Sequence, residues 1–140
     1  MRICIDSCVF IHGLQESDSA AARLLDLLSP DLVAVIPRLV AQEVARNLRT
    51  REQVRLFYQL FRDRNFAFIV DEPVPPALGE GYVALGLPAK ADAFIGAFAE
   101  WMQVRYLLCD NRHFLRDLCT DAFDVLDAAE FISRWEVDAL

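Results

Sequence analysis

A three-layer α/β/α fold around a central, mostly parallel sheet is predicted by two features of the 140-residue chain. Short apolar runs without polar alternation, as in strands buried on both faces, recur along it, and helix-patterned segments separate them. With 55% hydrophobic residues and ten Phe, the chain has enough apolar surface for one well-buried core, so a single domain over residues 1–140 is expected.

Ile3-Cys4-Ile5 stops at Asp6 and reads as the first strand, followed by helix-compatible sequence from Val9 to Leu14. Ser17-Asp18-Ser19 offers an N-cap for a helix with Ala21, Leu24, Leu25, Leu27 and Leu28 on its apolar face, closed by Ser29-Pro30. Leu32 to Ile36 is the second strand. Pro37 ends it and suits the first turn of a helix carrying Leu39, Val40, Val44, Ala45 and Leu48. Val54, Leu56, Phe57, Leu60 and Phe61 continue in helical spacing to a third run, Phe66 to Val70. Asp71 to Pro88 is rich in Pro and Gly, and its apolar residues predict an ordered loop carrying a short helix. A helix is expected over Ala89–Val104, with Ala91, Phe94, Ile95, Phe98, Ala99 and Met102 on one side. Arg105 to Cys109 and Phe123 to Leu126 complete the strands, and Ala128 to Val137 closes as a helix.

Composition excludes several classes. The apolar content rules out a disordered chain, and no apolar stretch approaches the roughly 20 residues a bilayer core requires. The acid at position 6 comes too early for a secretory signal, so a cytoplasmic protein is expected. Cys4, Cys8, Cys109 and Cys119 form no CxxC pair, and His12 and His113 are the only histidines, which argues against a zinc site or a disulfide framework. The formal charge of −7 argues against a protein that coats nucleic acid through clustered cations, but not against an enzyme acting on it. Six of the arginines nevertheless lie between Arg46 and Arg64, opposed there only by Glu52 and Asp63.

Ligands of open parallel sheets bind outside the carboxyl ends of the strands. Asp6 follows the first strand and Asp110, with Asn111 beside it, follows the fourth. Glu43 and Asp92 stand early in helices whose first turns face the same edge. Each acid alone has a plain structural role open to it: a helix cap, a charge at a helix N-terminus, or a solvated helix residue. Together they form an oxygen-rich ligand set without convergent His or Cys, which favours Mg²⁺ or Mn²⁺ over zinc. Such ions activate water and stabilise leaving oxygens in phosphodiester hydrolysis.

Ile3-Cys4-Ile5-Asp6-Ser7, Glu43-Val44, Asp92-Ala93-Phe94-Ile95-Gly96-Ala97-Phe98-Ala99 and Cys109-Asp110-Asn111-Arg112-His113-Phe114 resemble, in order, the motifs of PIN domains. The resemblance implies an α/β/α metal-dependent nuclease. For a small single-domain member it implies a VapC-like toxin that cleaves RNA, paired with a small antitoxin and able to form a homodimer. It makes Asp6, Glu43 and Asp92 metal ligands, directly or through water, with Ser7 supporting Asp6. In the fourth motif, aligning Phe114 places Cys109 where the family has a hydroxyl and Asn111 where it has an acid. Asp110 is then expected to share the acid's role, with Asn111 at the site's edge. Cys8 stands where the family often has Asn.

Arg46, three residues beyond Glu43, and Arg112 are candidate contacts to substrate phosphate. His113 is expected to pack beside Phe114. The leading reading is an RNA-cleaving enzyme; the alternative is a degenerate PIN-like module that binds RNA or protein without cleaving. A receiver-like or dehalogenase-like phosphotransfer domain fits less well, because no second Asp follows Asp6 two residues on and the only lysine is Lys90.

Overall fold

The computed structural model describes residues 1–62, 66–71, 73–86, 91–110, 118 and 120–138. Along the chain lie β1 (Arg2–Ile5), α1 (Ser7–Leu14), α2 (Ser19–Leu27), β2 (Val33–Pro37), α3 (Arg38–Asn47), α4 (Arg51–Arg62) and β3 (Ala67–Val70). They are followed by α5 (Pro76–Ala84), α6 (Ala91–Trp101), β4 (Tyr106–Leu108), β5 (Asp124–Leu126) and α7 (Ala128–Asp138). The sheet order is β3-β2-β1-β4-β5 and every described pairing is parallel. β1 is central because Ile3, Cys4 and Ile5 are apolar on both faces, and all three are fully buried.

Chain order runs outward from β1 to β2 and β3, then returns past both strands to place β4 on the other side of β1. With right-handed crossovers, this reversal puts α1 to α4 on one face of the sheet and α5 and α6 on the other. The packing agrees: α1 meets α2, α3 and α4, whereas α5 meets α6 and α6 meets β4. Two close approaches fix these helices. A Cβ on Gly13 of α1 would stand 2.9 Å from the Ala21 carbonyl oxygen of α2, and one on Gly96 of α6 would stand 2.8 Å from Tyr82 Cδ1 of α5. Asp18 caps α2 by accepting from the amides of Ala20 and Ala21 at 2.9 and 3.2 Å.

Three expectations are corrected. Pro37 is the last residue of β2, pairing with Val70 and preceding α3, rather than part of its first turn. Its φ of −77° suits either place, and its ψ of 159° keeps it extended. Phe94 is 37% exposed rather than core, since the first turn of α6 begins at the carboxyl edge, where the sheet beneath it ends. Helix cover is also incomplete. Among the described residues α5 packs on α6 and α6 on β4, and an apolar groove of about 790 Å³ lies beside Val33, Val35, Phe68 and Met102.

Candidate active site

The reversal of chain order at β1 opens a crevice at the carboxyl ends of β1 and β4. Asp6 is the first residue beyond β1. Its amide donates to the Leu108 carbonyl at 2.9 Å, carrying the β1–β4 pairing one step further, and its carboxylate accepts from the Ser7 amide at 2.8 Å to cap α1. The plain structural role and the site role therefore coexist in one residue. A cavity of about 400 Å³ lies there, lined by Asp6, Ser7, Cys8, His12, Glu43, Asp92, Ile95 and Asp110. The four acids expected at the sheet edge are brought to one place.

Each acid arrives on an anchored element. Glu43 sits in α3, held down by buried Val40, Ala41 and Val44, and Asp92 sits in the first turn of α6, held by Ala93, Ile95, Ala97 and Phe98. Both acids are half-buried, and Asp6 is only 7% exposed. Burial pushes the Asp6 carboxyl up to about 6; the Ser7 amide opposes this, and the charges of Glu43 and Asp92 add to it. The Cys8 thiol, 3.8 Å from Asp6 Oδ2, is pushed up to about 12, first by burial and then by the Asp6 charge. It lines the cavity as a neutral group. Cys4 and Cys109 are fully buried thiols, and Cys109 stands in the fourth motif where the family has a hydroxyl.

Ser7 supports Asp6 through its backbone amide. Arg46 is exposed and does not line the cavity, although it lies one turn beyond Glu43. Asn111, Arg112 and His113 lie outside the described residues. His12 was not singled out from the sequence as a site residue, yet it lines the cavity and its Nδ1 is 3.2 Å from Asp110 Oδ2. The available signal was spacing: a helix starting directly after Asp6 sets Cys8 and His12 one turn apart on the same side.

The chain matches the model of the PIN domain over residues 3–119. It belongs to the PIN domain family. The matched span includes Asp6, Glu43, Asp92 and Asp110. Among solved structures, the chain is similar to one in the structure of VapBC2 from Rickettsia felis bound to a DNA fragment from their promoter. The TM-score is 0.66 at 16% identity, over 89% of this chain and 97% of that one. At that identity the likeness is one of fold, and the fold is the three-layer PIN arrangement. No curated protein matches the chain. No described helix is long and apolar enough to cross a membrane.

The donor chemistry of this PIN site fits a hard dication. Three carboxylates share a cavity in which one is buried and disfavoured as an anion by the other two, and a bound cation would reverse that penalty. Among the described residues, no three His, Cys, Asp or Glu side chains converge into a preformed metal cage. Mg²⁺ and Mn²⁺ keep several waters and take only one or two carboxylates directly, so their binding needs no such preformed cage.

Proposed function

We propose that the protein is a Mg²⁺- or Mn²⁺-dependent endoribonuclease, the toxin of a toxin–antitoxin pair, acting in the cytoplasm as one PIN domain over residues 1–140. The observation that carries this reading is the gathering of Asp6, Glu43, Asp92 and Asp110 around one cavity at the carboxyl edge of the sheet. Membership of the PIN family, whose members are generally nucleases, supports hydrolysis of a phosphodiester. The fold likeness to the VapBC2 structure supports a small antitoxin partner, and a homodimer is carried over from the family resemblance alone.

Asp6, Glu43 and Asp92 would hold the metal, which when bound supplies an activated water and charge stabilisation at the phosphoryl group. Asp6 is fixed for this by its bond from the Ser7 amide. Glu43 and Asp92 approach from α3 and α6, so the strand is engaged between helices on opposite faces of the sheet. Asp110 closes the fourth side and orients His12. Arg46, three residues beyond Glu43 in the sequence, and Arg112, two beyond Asp110, are assigned to contacts with the flanking phosphates, and Asn111 to support beside Asp110.

The test is cleavage of a structured and an unstructured RNA by the purified protein with Mn²⁺, Mg²⁺ or EDTA, alongside Asp6→Asn and Asp92→Asn. Cutting that requires the metal and is lost in both variants is expected. A correctly folded wild type that cuts neither RNA, and carries no masking partner by light scattering, would sink the nuclease reading in favour of a binding-only module.

A further inference from the structure

His12 is left without a role by the four motifs, although it is placed like a site residue. It lies in α1, one turn beyond Cys8, and lines the cavity together with the acids. Its Nδ1 stands 3.2 Å from Asp110 Oδ2, with 44% of the His12 side chain and 30% of the Asp110 side chain exposed. A carboxylate only accepts, so Nδ1 is the nitrogen that carries hydrogen and donates. In the neutral ring this fixes the tautomer and leaves Nε2 with a lone pair. Among the described residues Nε2 has no hydrogen-bond partner.

In its neutral form the ring therefore presents one hydrogen-bond acceptor to a cavity lined by four carboxylates. A nucleic-acid strand consists mostly of acceptors along its backbone: phosphate, ester and ring oxygens offer nothing that Nε2 can accept from. The backbone donor is the ribose 2′-hydroxyl, which RNA has and DNA lacks. Base amines also donate, but they occur in both polymers. A neutral imidazole is better suited to this contact than another carboxylate, because it adds no repulsion to the adjoining phosphates.

We propose that His12 accepts a hydrogen bond through Nε2 from a ribose 2′-hydroxyl of the bound strand, making it a residue that selects RNA over DNA, with Asp110 as its positioning residue. The inference rests on the nuclease reading and gives that site its preferred sugar.

The experiment measures binding with Ca²⁺ in place of Mn²⁺, at pH 8, for wild type, His12→Ala and Asp110→Ala. The probes are an RNA oligonucleotide, the DNA of the same sequence, and RNAs carrying one 2′-deoxy nucleotide at each position in turn. One neutral hydrogen bond corresponds to roughly a fivefold preference. Wild type is expected to favour RNA by about that factor. His12→Ala should weaken RNA binding about fivefold and leave DNA binding unchanged. One 2′-deoxy position should reproduce the loss in wild type and cause no further loss in His12→Ala. Asp110→Ala should shift the preference in the same direction by a smaller factor.

Equal weakening of RNA and DNA in His12→Ala would overturn the proposal, since it indicates a phosphate or base contact. So would a wild type that does not distinguish the two polymers. Parallel melting curves guard against misfolding, to which a half-exposed position is not prone. Cleavage with Mn²⁺ reads the parent reading separately: absent cleavage with the 2′-deoxy coupling intact counts against the nuclease, and cleavage without the coupling counts against this inference alone.

Discussion

The apolar groove over β2 and β3 encloses about 790 Å³, and the acid cavity at the ends of β1 and β4 about 400 Å³. The larger one is mostly apolar: Val33, Val35, Phe68, Val70, Met1 and Met102 line it, and of its two charged side chains Asp71 is paired with Arg38 at 2.7 Å and Arg2 donates to the Met102 carbonyl at 3.0 Å. The smaller one gathers four acids, an imidazole and a thiol. The groove lies over β2 and β3, away from β4 where α6 packs, whereas the cavity exists because chain order reverses at β1. Volume thus records where cover is missing, and chemistry records where the chain turns.

The sharpest way to break this contrast is a substitution whose effects on activity and stability have opposite signs. Asp6→Asn keeps an oxygen to cap the Ser7 amide but removes the charge. Cleavage rate with saturating RNA and Mn²⁺ is expected to fall on the order of a hundredfold or more. Without metal the same variant should melt higher at pH 7 than wild type. The Asp6 pKa is raised from 3.8 to about 6 in the fold. The protonated form is therefore favoured by folding. Its stabilisation is fully present below the unfolded value and is lost as pH rises through about 6. At about 1.4 kcal/mol for each pH unit the contribution reaches roughly 3 kcal/mol. Denaturant titrations of metal-free protein between pH 4 and 7.5 should show this gain on acidification in wild type and its absence in Asp6→Asn. Added Mn²⁺ should remove the difference at pH 7. A metal-free wild type that is equally stable at both ends, after Asp6→Asn is subtracted, would mean that the cavity does not strain its carboxylate.

A second substitution tests how firmly the cavity is held. Gly13→Ala drives a methyl to 2.9 Å from the Ala21 carbonyl oxygen and from Leu25 Cδ1, so α1 must move away from α2. Overpacking of this kind costs about 1–3 kcal/mol, readable as a lower denaturation midpoint. Since α1 carries Cys8 and His12, cleavage should fall with stability; a stable and fully active Gly13→Ala would show that α1 is not what positions the site.

Much of this was legible in the sequence, for physical reasons that also mark where legibility ended. β1 and β4 announced themselves because strands covered on both faces cannot alternate, and Asp6 because an acid at the end of such a run must find a use for its charge. Asp92 and Glu43 were legible through their apolar neighbours, which fix those helices to the core. His12 was not, because its partner Asp110 is 98 residues away in the chain and only the β1–β4 pairing brings them together. The groove was not, because helix cover depends on strand order, and β3 is as apolar as its neighbours. Phe94 failed for a related reason: periodicity knows the side of a helix but not where the sheet beneath it stops.

The smallest expected effect belongs to the groove, and its smallness is the point. Phe68 is 43% exposed on β3, which among the described residues pairs only with β2 and forms the edge of the sheet. Phe68→Thr puts a β-branched residue at a strand position and removes a ring that water already reaches. Stability should change by no more than about 1 kcal/mol, and cleavage rate by less than about twofold. Both are read from the same denaturant titration and RNA assay applied to Asp6→Asn. The groove wall and the acid cavity share a sheet but no side chain, so a mutation confined to one should not be felt in the other. A tenfold loss of cleavage in Phe68→Thr, with stability intact, would show that β3 transmits to the carboxyl edge and would dissolve the separation between the two regions.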